Sequence, residues 1–201
     1  MKTLILLFCN LFIMQSCNKE AKTQTMIQDQ FNYAVTATAP KAYPCEVHIG
    51  YIADDKKNMI TGIPKTGMLQ AGWNGNGAAG GMGGNVIPSY INLTYAAYAE
   101  KKFYHLEAEL PREKMLEAFR KGFLIQGDEK NADGKYKLVH STYNTFTVAL
   151  APGGIVVIFL GGSDRIEICR LQAKETFVDR NEFYDNPIKE RRKAFLTKCL
   201  K

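Results

Sequence analysis

Apolar and polar residues alternate with a period of two along several stretches of this chain, and that period predicts strands. Residues 33–39 are short and β-compatible. Residues 46–52 alternate, which places Val47, Ile49 and Tyr51 on one face. Residues 91–98 alternate again, with Ile91, Leu93, Tyr95 and Ala97 together, and residues 103–109 read as a further strand. Phe146, Val148 and Leu150 alternate with Thr145, Thr147 and Ala149. Residues 155–160 are continuously apolar, as suits a central strand covered on both faces, and residues 165–171 return beside it. Turn chemistry separates these runs. Pro40 and Pro44 bracket a bend, residues 54–58 are polar, Asp133-Gly134 suits a hairpin, and Ala151-Pro152-Gly153-Gly154 fits a type II turn.

The period changes over residues 110–122. Pro111 suits a first helical turn, Met115, Leu116 and Phe119 form a stripe at helical spacing, and Gly122 ends it after Arg120 and Lys121. Asn186 and Pro187 start a second expected helix over residues 187–200, with Ile188, Phe195, Leu196 and Cys199 inward and a basic face outward. The fold class expected is α+β: predominantly antiparallel β-sheet, sandwich-like, with one or two helices.

The amino terminus changes the picture from a soluble domain to an exported one. Lys2 precedes an apolar run over residues 4–14, broken only by Asn10. That run is too short to span a bilayer, which takes about 20 residues, and fits the core of a secretory signal. Met14-Gln15-Ser16-Cys17 then resembles a bacterial lipobox, departing at Gln15. The organisation expected is a lipoprotein signal over residues 1–16, a lipidated Cys17 with a flexible tether to residue 30, and one β-rich domain over residues 31–201. A triacylated cysteine anchors permanently, since two or more chains suffice. Asn18, rather than Asp, favours the outer membrane under the enterobacterial sorting rule.

Composition narrows the partners. The 201 residues carry a net charge of +6, which is mild, and no nucleic-acid reading element is visible, so no nucleic acid is expected as partner. Cys45, Cys169 and Cys199 remain after the signal and Cys17 are set aside; one disulfide or three buried thiols are equally compatible with them.

Candidate chemistry is sparse. Gly75, Gly77 and Gly80 satisfy G-x-G-x-x-G, but a nucleotide loop needs a strand before it and a helix after it, and Val86-Ile87-Pro88 follows instead. Residues 72–84 are therefore expected to be an irregular loop that binds no nucleotide. They carry the sole tryptophan of the chain, and Trp73 is either a contact residue beside flexible glycines or a packed ring. Trp73 and Tyr90 are the candidate binding residues. Residues 129–140 approach a calcium loop but begin with Glu129 and end with His140, so no metal is expected. His48, His105 and His140 have no metal-pair spacing, and no nucleophile elbow occurs. Glu100, Glu107, Glu109 and Glu113 cluster in sequence as a paired-carboxylate hydrolase requires, and equally as solvated strand and helix positions do. No cofactor is expected.

Four phrases together resemble one family: AYPCEVHIGYI from Ala42, AGW with its following glycines from Ala71, YAEKKFYHLEAELP from Tyr98, and LAPGGIVVIFL from Leu150. They are similar to an uncharacterised family of Gram-negative lipoproteins known only as a domain of unknown function. The most specific parts are the Tyr-Pro-x-Glu-Val stretch at Tyr43 and the Ala-Pro-Gly-Gly-Ile-Val-Val turn at Ala151; the chain departs at Cys45 and Phe159. The resemblance implies a lipid-anchored envelope protein and carries no catalytic residues. By analogy with neighbouring envelope lipoproteins it implies an immunity-like protein partner. The expected function is a non-enzymatic binding module; the alternative is an envelope hydrolase acting on sugar or peptide polymers.

Overall fold

The computed structural model describes residues 31–65, 67–73, 77–83, 86–179 and 182–183. The signal, Cys17, the tether and the expected helix over residues 187–200 lie outside them, as does Cys199. The described chain runs β1 (Tyr33–Thr38), β2 (Cys45–Ala53), β3 (Met59–Gly62), β4 (Ala78–Gly83), β5 (Tyr90–Ala97), β6 (Lys102–Glu109), α1 (Arg112–Lys121), β7 (Phe123–Lys130), β8 (Tyr136–Ser141), β9 (Thr145–Ala151), β10 (Ile155–Gly161), β11 (Arg165–Gln172) and β12 (Lys174–Thr176).

Two five-stranded sheets form, ordered β11-β10-β9-β1-β4 and β12-β6-β5-β2-β3. Every pairing is antiparallel except β1 with β9. The inner faces meet in one apolar cluster: Tyr33, Val35, Phe146, Val148, Val156 and Ile158 from the first sheet, Val47, Ile52, Ile91, Leu93 and Tyr95 from the second. This is the sandwich-like, mostly antiparallel arrangement that alternation predicts. Helix α1 adds Met115, Leu116 and Phe119 to the same cluster, and Gly122 ends it by donating its N–H to the Ala118 carbonyl at 2.9 Å. Between β9 and β10, Gly153 takes φ 74° and ψ 18°, the third-position geometry of the type II turn that Pro152-Gly153 predicts.

Two expectations change. The alternation in β2 is not continuous, because the register shifts between Val47 and Ile49. Cys45 and Val47 face the core before this bulge, Gly50 and Ile52 after it, and Ile49 is 43% exposed. One extra residue at a bulge moves every later side chain to the opposite face. The second change concerns the glycine-rich stretch, which is not irregular throughout: Ala78–Gly83 is strand β4, paired antiparallel along β1 from Tyr33↔Gly83 to Ala37↔Ala78. The glycines allow that pairing to be tight. A Cβ on Gly77 would sit 2.1 Å from the Ala37 carbonyl oxygen, and one on Gly80 would sit 2.7 Å from the Pro64 ring.

Strands β7 and β8 form a two-stranded hairpin that pairs with neither large sheet. Its turn is closed by Asn131 N–H to the Lys135 carbonyl at 2.7 Å, with Asp133-Gly134 at the tip as expected.

Gly77 also has φ +58°, whereas Gly72, at φ +90°, would place a Cβ in open space. Gly77→Ala is therefore expected to destabilise the domain by about 3 kcal/mol or more, from steric overlap added to strain. Gly72→Ala is expected to cost about 1 kcal/mol, from strain alone. Urea unfolding of both variants checks the order; equal losses would mean that the close approach to β1 does not hold.

Candidate functional site

A sandwich sheet has an outer face as well as an inner one, and here the two outer faces are treated differently. On the first sheet, Ala149, Val157 and Phe159 form an outer apolar patch, and Trp73 packs on it. The Trp73 ring meets Phe159 edge-on with centroids 5.8 Å apart. Arg165 stacks its guanidinium 3.8 Å from the Phe159 centroid and donates from Nη1 to the Trp73 carbonyl at 2.6 Å. Burial lowers the pKa of this guanidinium, and the ring face replaces part of its lost hydration. Next to it, Thr38 Oγ1 donates to the Gly72 carbonyl at 2.9 Å. The segment holding Gly72 and Trp73 is thus a strap over the first sheet, and Trp73 is half-buried packing.

On the second sheet, strand pairing sorts the outer residues into rows. Ala53, Tyr90 and Glu109 are cross-strand partners; then Tyr51, Asn92 and Glu107; then Ile49, Thr94 and His105; then Glu46, Ala96 and Phe103. Cross-strand partners share a face. The last row is covered. Phe183 packs on Ala96 and Tyr98, with Met68, Phe103 and Val178 against them, and its ring centroid lies 5.5 Å from that of His48. Beneath this cover the fully buried Glu46 accepts a hydrogen bond from the Tyr98 hydroxyl.

In the other three rows Ala53, Tyr90 and Thr94 are buried, while Ile49, Tyr51, Asn92, His105, Glu107 and Glu109 reach the surface and carry connected polar chemistry. Asn92 Nδ2 donates to Glu107 Oε1 at 2.8 Å. His105 Nδ1 lies 2.9 Å from Thr94 Oγ1, and its Nε2 lies 3.8 Å from the same Glu107 oxygen. At the end of the face, Asp54, Asp55, Lys57, Ser89, Tyr90, Glu109 and Leu110 line a cleft of about 240 Å³. Lys57 Nζ sits 4.7 Å over the Tyr90 ring. Burial first, and the Glu107 charge second, push the Tyr90 phenol above its ordinary value. Ser89 Oγ is buried and meets no hydrogen-bond partner among the described residues. Asp54 accepts from the Lys56 and Asn58 backbone N–H groups and the Asn58 amide, so its carboxyl is held below the usual range, first by the Asn58 amide.

Trp73 and Tyr90 lie on different sheets, one in the strap and the other under Lys57 in the cleft. Of the four clustered glutamates, Glu107 and Glu109 share the open face. Glu100 instead accepts from the Tyr104 hydroxyl and the Gly153 N–H, and Glu113 pairs with Arg112 on α1. His140 Nε2 lies 2.8 Å from the Lys121 carbonyl at the hairpin root. Cys45 and Cys169 are free thiols, and burial pushes Cys45 up to about 12. Tyr51, Asn92 and Thr94 were not singled out by sequence; polar residues at every second position of strands with an apolar inner face are their signal. Among the described residues no group of three or more His, Cys, Asp or Glu side chains is placed to hold a metal ion.

Trp73→Ala is expected to cost about 1–3 kcal/mol, as a half-buried ring does, in a thermal melt; an unchanged midpoint would place the ring in solvent. Asp54 contributes through its depressed pKa. Its share of stability is complete above the unfolded value, near ~4, and is lost as pH falls through the lower folded value. A carboxyl titration by NMR should place the Asp54 midpoint lower in the native protein than in an Asn58→Ala variant, and equal midpoints would contradict the turn geometry.

No curated protein and no solved structure matches the chain. A family model described as a protein of unknown function, DUF2931, matches residues 16–198. That match covers nearly the whole of the chain, including both sheets, the strap and the hairpin, and the chain belongs to the DUF2931 family.

Proposed function

We propose that this protein is a lipid-anchored module of the cell envelope that binds a protein partner without catalysis, through the open rows of its second sheet. The observation that carries the reading is the contrast between covered and open outer faces. The strap and Phe183 cover the apolar parts. Ile49, Tyr51, Asn92, His105 and Glu107 are left as a surface mixing an aromatic, an aliphatic and hydrogen-bonding groups, which is the composition of a recognition surface. Asp54, Asp55, Glu107 and Glu109 give it acidic character on a chain whose net charge is +6. The partner is accordingly a protein with a basic face, steered by charge and held at the aromatic centre. The lipobox at Cys17 supplies the anchor, and a flexible tether keeps the domain within a reach of about 20 Å of the headgroups.

A second reading, an envelope hydrolase, is favoured by one observation: Thr94, His105 and Glu107 are strung together as a nucleophile, base and orienting acid are. The surroundings favour binding over this. These residues sit in mid-strand, where the ladders engage the backbone amides that would otherwise stabilise an oxyanion. None of the three lines the cleft at the end of the face.

Palmitate labelling should be lost in Cys17→Ser, and the protein should leave the membrane; equal label would refute the anchor. A photo-crosslinker at Ile49 should capture a discrete envelope protein, and Glu107→Lys with Glu109→Lys should weaken that capture roughly tenfold or more. Exposed charge changes of this kind alter stability by about 0.5 kcal/mol or less. Capture unaffected by the charge reversal would refute the binding face. Hydrolysis of an envelope polymer that disappears in Thr94→Val would favour the second reading.

A further inference from the structure

Beyond Phe123, which packs against the core, the β7–β8 hairpin pairs with neither large sheet, and it carries apolar side chains that water does not favour. Cross-strand pairing sets Leu124 opposite His140, Gln126 opposite Leu138 and Lys130 opposite Tyr136. Leu124, Leu138 and Tyr136 therefore share one face, and the two leucines are 63% and 66% exposed. An isolated hairpin is marginal in water, and exposed leucines on one are a contact surface awaiting its partner. The root is fixed by aromatic packing. Phe123 lies 5.0 Å from Tyr143, Tyr143 lies 6.3 Å from Phe119, and Phe119 stacks on Phe31 at 4.9 Å.

Phe31 is where the described chain begins, so the tether leaves the domain beside the hairpin root. A flexible chain of the length between Cys17 and Phe31 would have an r.m.s. span of about 20 Å, while an eight-residue strand reaches about 26 Å. From this we propose that the hairpin is a second membrane contact, laying its Leu124–Leu138–Tyr136 face into the headgroup boundary of the bilayer that holds the lipid. The proposal takes the orientation of the molecule from the anchor at Cys17. Its chemistry is that of an interfacial element: aliphatic side chains inward, a tyrosine at the boundary, and lysines whose stems follow the apolar surface to the headgroups. Lys130 Nζ already sits 4.8 Å over the Tyr136 ring. Lys135 pairs with Asp133 at 3.6 Å and Lys137 with Glu129 at 2.8 Å, so the arm carries little net charge and apolar burial drives the contact. The tip, residues 131–135, is polar, which favours a hairpin lying along the surface over one entering tip-first.

The test uses the full chain on vesicles of phosphatidylethanolamine and phosphatidylglycerol. In a Trp73→Phe background, Leu138→Trp gives a single fluorophore on the hairpin and Met59→Trp one on the edge strand β3. With the lipidated protein and brominated acyl chains, the hairpin tryptophan is expected to be quenched and the β3 tryptophan not. An unquenched hairpin tryptophan in vesicle-bound protein overturns the proposal. Flotation of Cys17→Ser chain, with and without Leu124→Asp and Leu138→Asp, separates the two contacts. Its residual vesicle partition should fall roughly tenfold with the two aspartates, and equal partition overturns the hairpin contact. Absence of lipid on Cys17 refutes the anchor while the flotation still reads the hairpin. A concentration-dependent dimer in solution that the aspartates abolish, with vesicle partition unchanged, assigns the face to a second copy of the chain instead.

Discussion

The parallel pairing of β1 with β9 is the constraint on which the rest of the structure depends. It joins Ala34 to Thr145 and Thr38 to Ala149, bringing the first described strand into the middle of a sheet built from the last third of the chain. Inside that pair, Thr36 Oγ1 donates to Thr147 Oγ1 at 2.9 Å, both residues buried on the outer face. A pairing across so long a stretch of sequence carries a loop-closure cost that local hairpins do not. It is held because the inner face of β1 supplies Tyr33, Val35 and Ala37 to the core shared by both sheets.

The location of each exposed element follows. Once β1 lies beside β9, its other edge is open, and an open strand edge invites association. β4 closes it. A strand of Ala, Gly and Met can approach where a bulkier one would not, as the Gly77 contact with the Ala37 carbonyl requires. The segment that leads into β4 crosses the outer face, where Thr38 and Arg165 bind the carbonyls of Gly72 and Trp73. The glycines that open the question of a phosphate site are thus the means by which one sheet is completed. Phe31, just before β1, is carried to α1 by the same pairing, and so to the root of the hairpin.

Much of this was legible in the sequence where one face is core and the other is not. Ile91, Leu93, Tyr95 and Ala97, the stripe Met115, Leu116 and Phe119, and the Pro152-Gly153 turn all behave as their periods and turn chemistry indicate. What was not legible has physical reasons. The bulge at His48 leaves no local mark, because the residues on both sides still alternate; only the partner strand shows that the phase has changed. β4 is bound through backbone and close approach, and neither has a hydrophobic period. β7 and β8 expose both faces, so no amphipathic signal distinguishes them from a loop. The open rows arise from register between strands: Asn92 meets Glu107, and Thr94 meets His105, only because β5 and β6 pair as they do. A single strand names which side chains share a face, and not which ones face each other across it.

The division of the second sheet into covered and open halves also bears on what kind of surface it is. Where Phe183 covers the sheet, the row beneath holds a fully buried glutamate bonded to a tyrosine, and burying such a carboxylate demands hydrogen bonds. Where the sheet is open, the polar groups are bonded to one another along the face: Asn92 to Glu107, His105 to Thr94. Groups tied in this way keep their geometry without a ligand, so a partner meets a preformed array and binding orders few side chains. A nucleophile needs more than such an array. It needs donors aimed at a developing charge, and a strand in mid-sheet has its amides engaged in ladders. The feature that fixes these side chains so well, their place on paired strands, is therefore the ground on which recognition rather than catalysis is proposed for them.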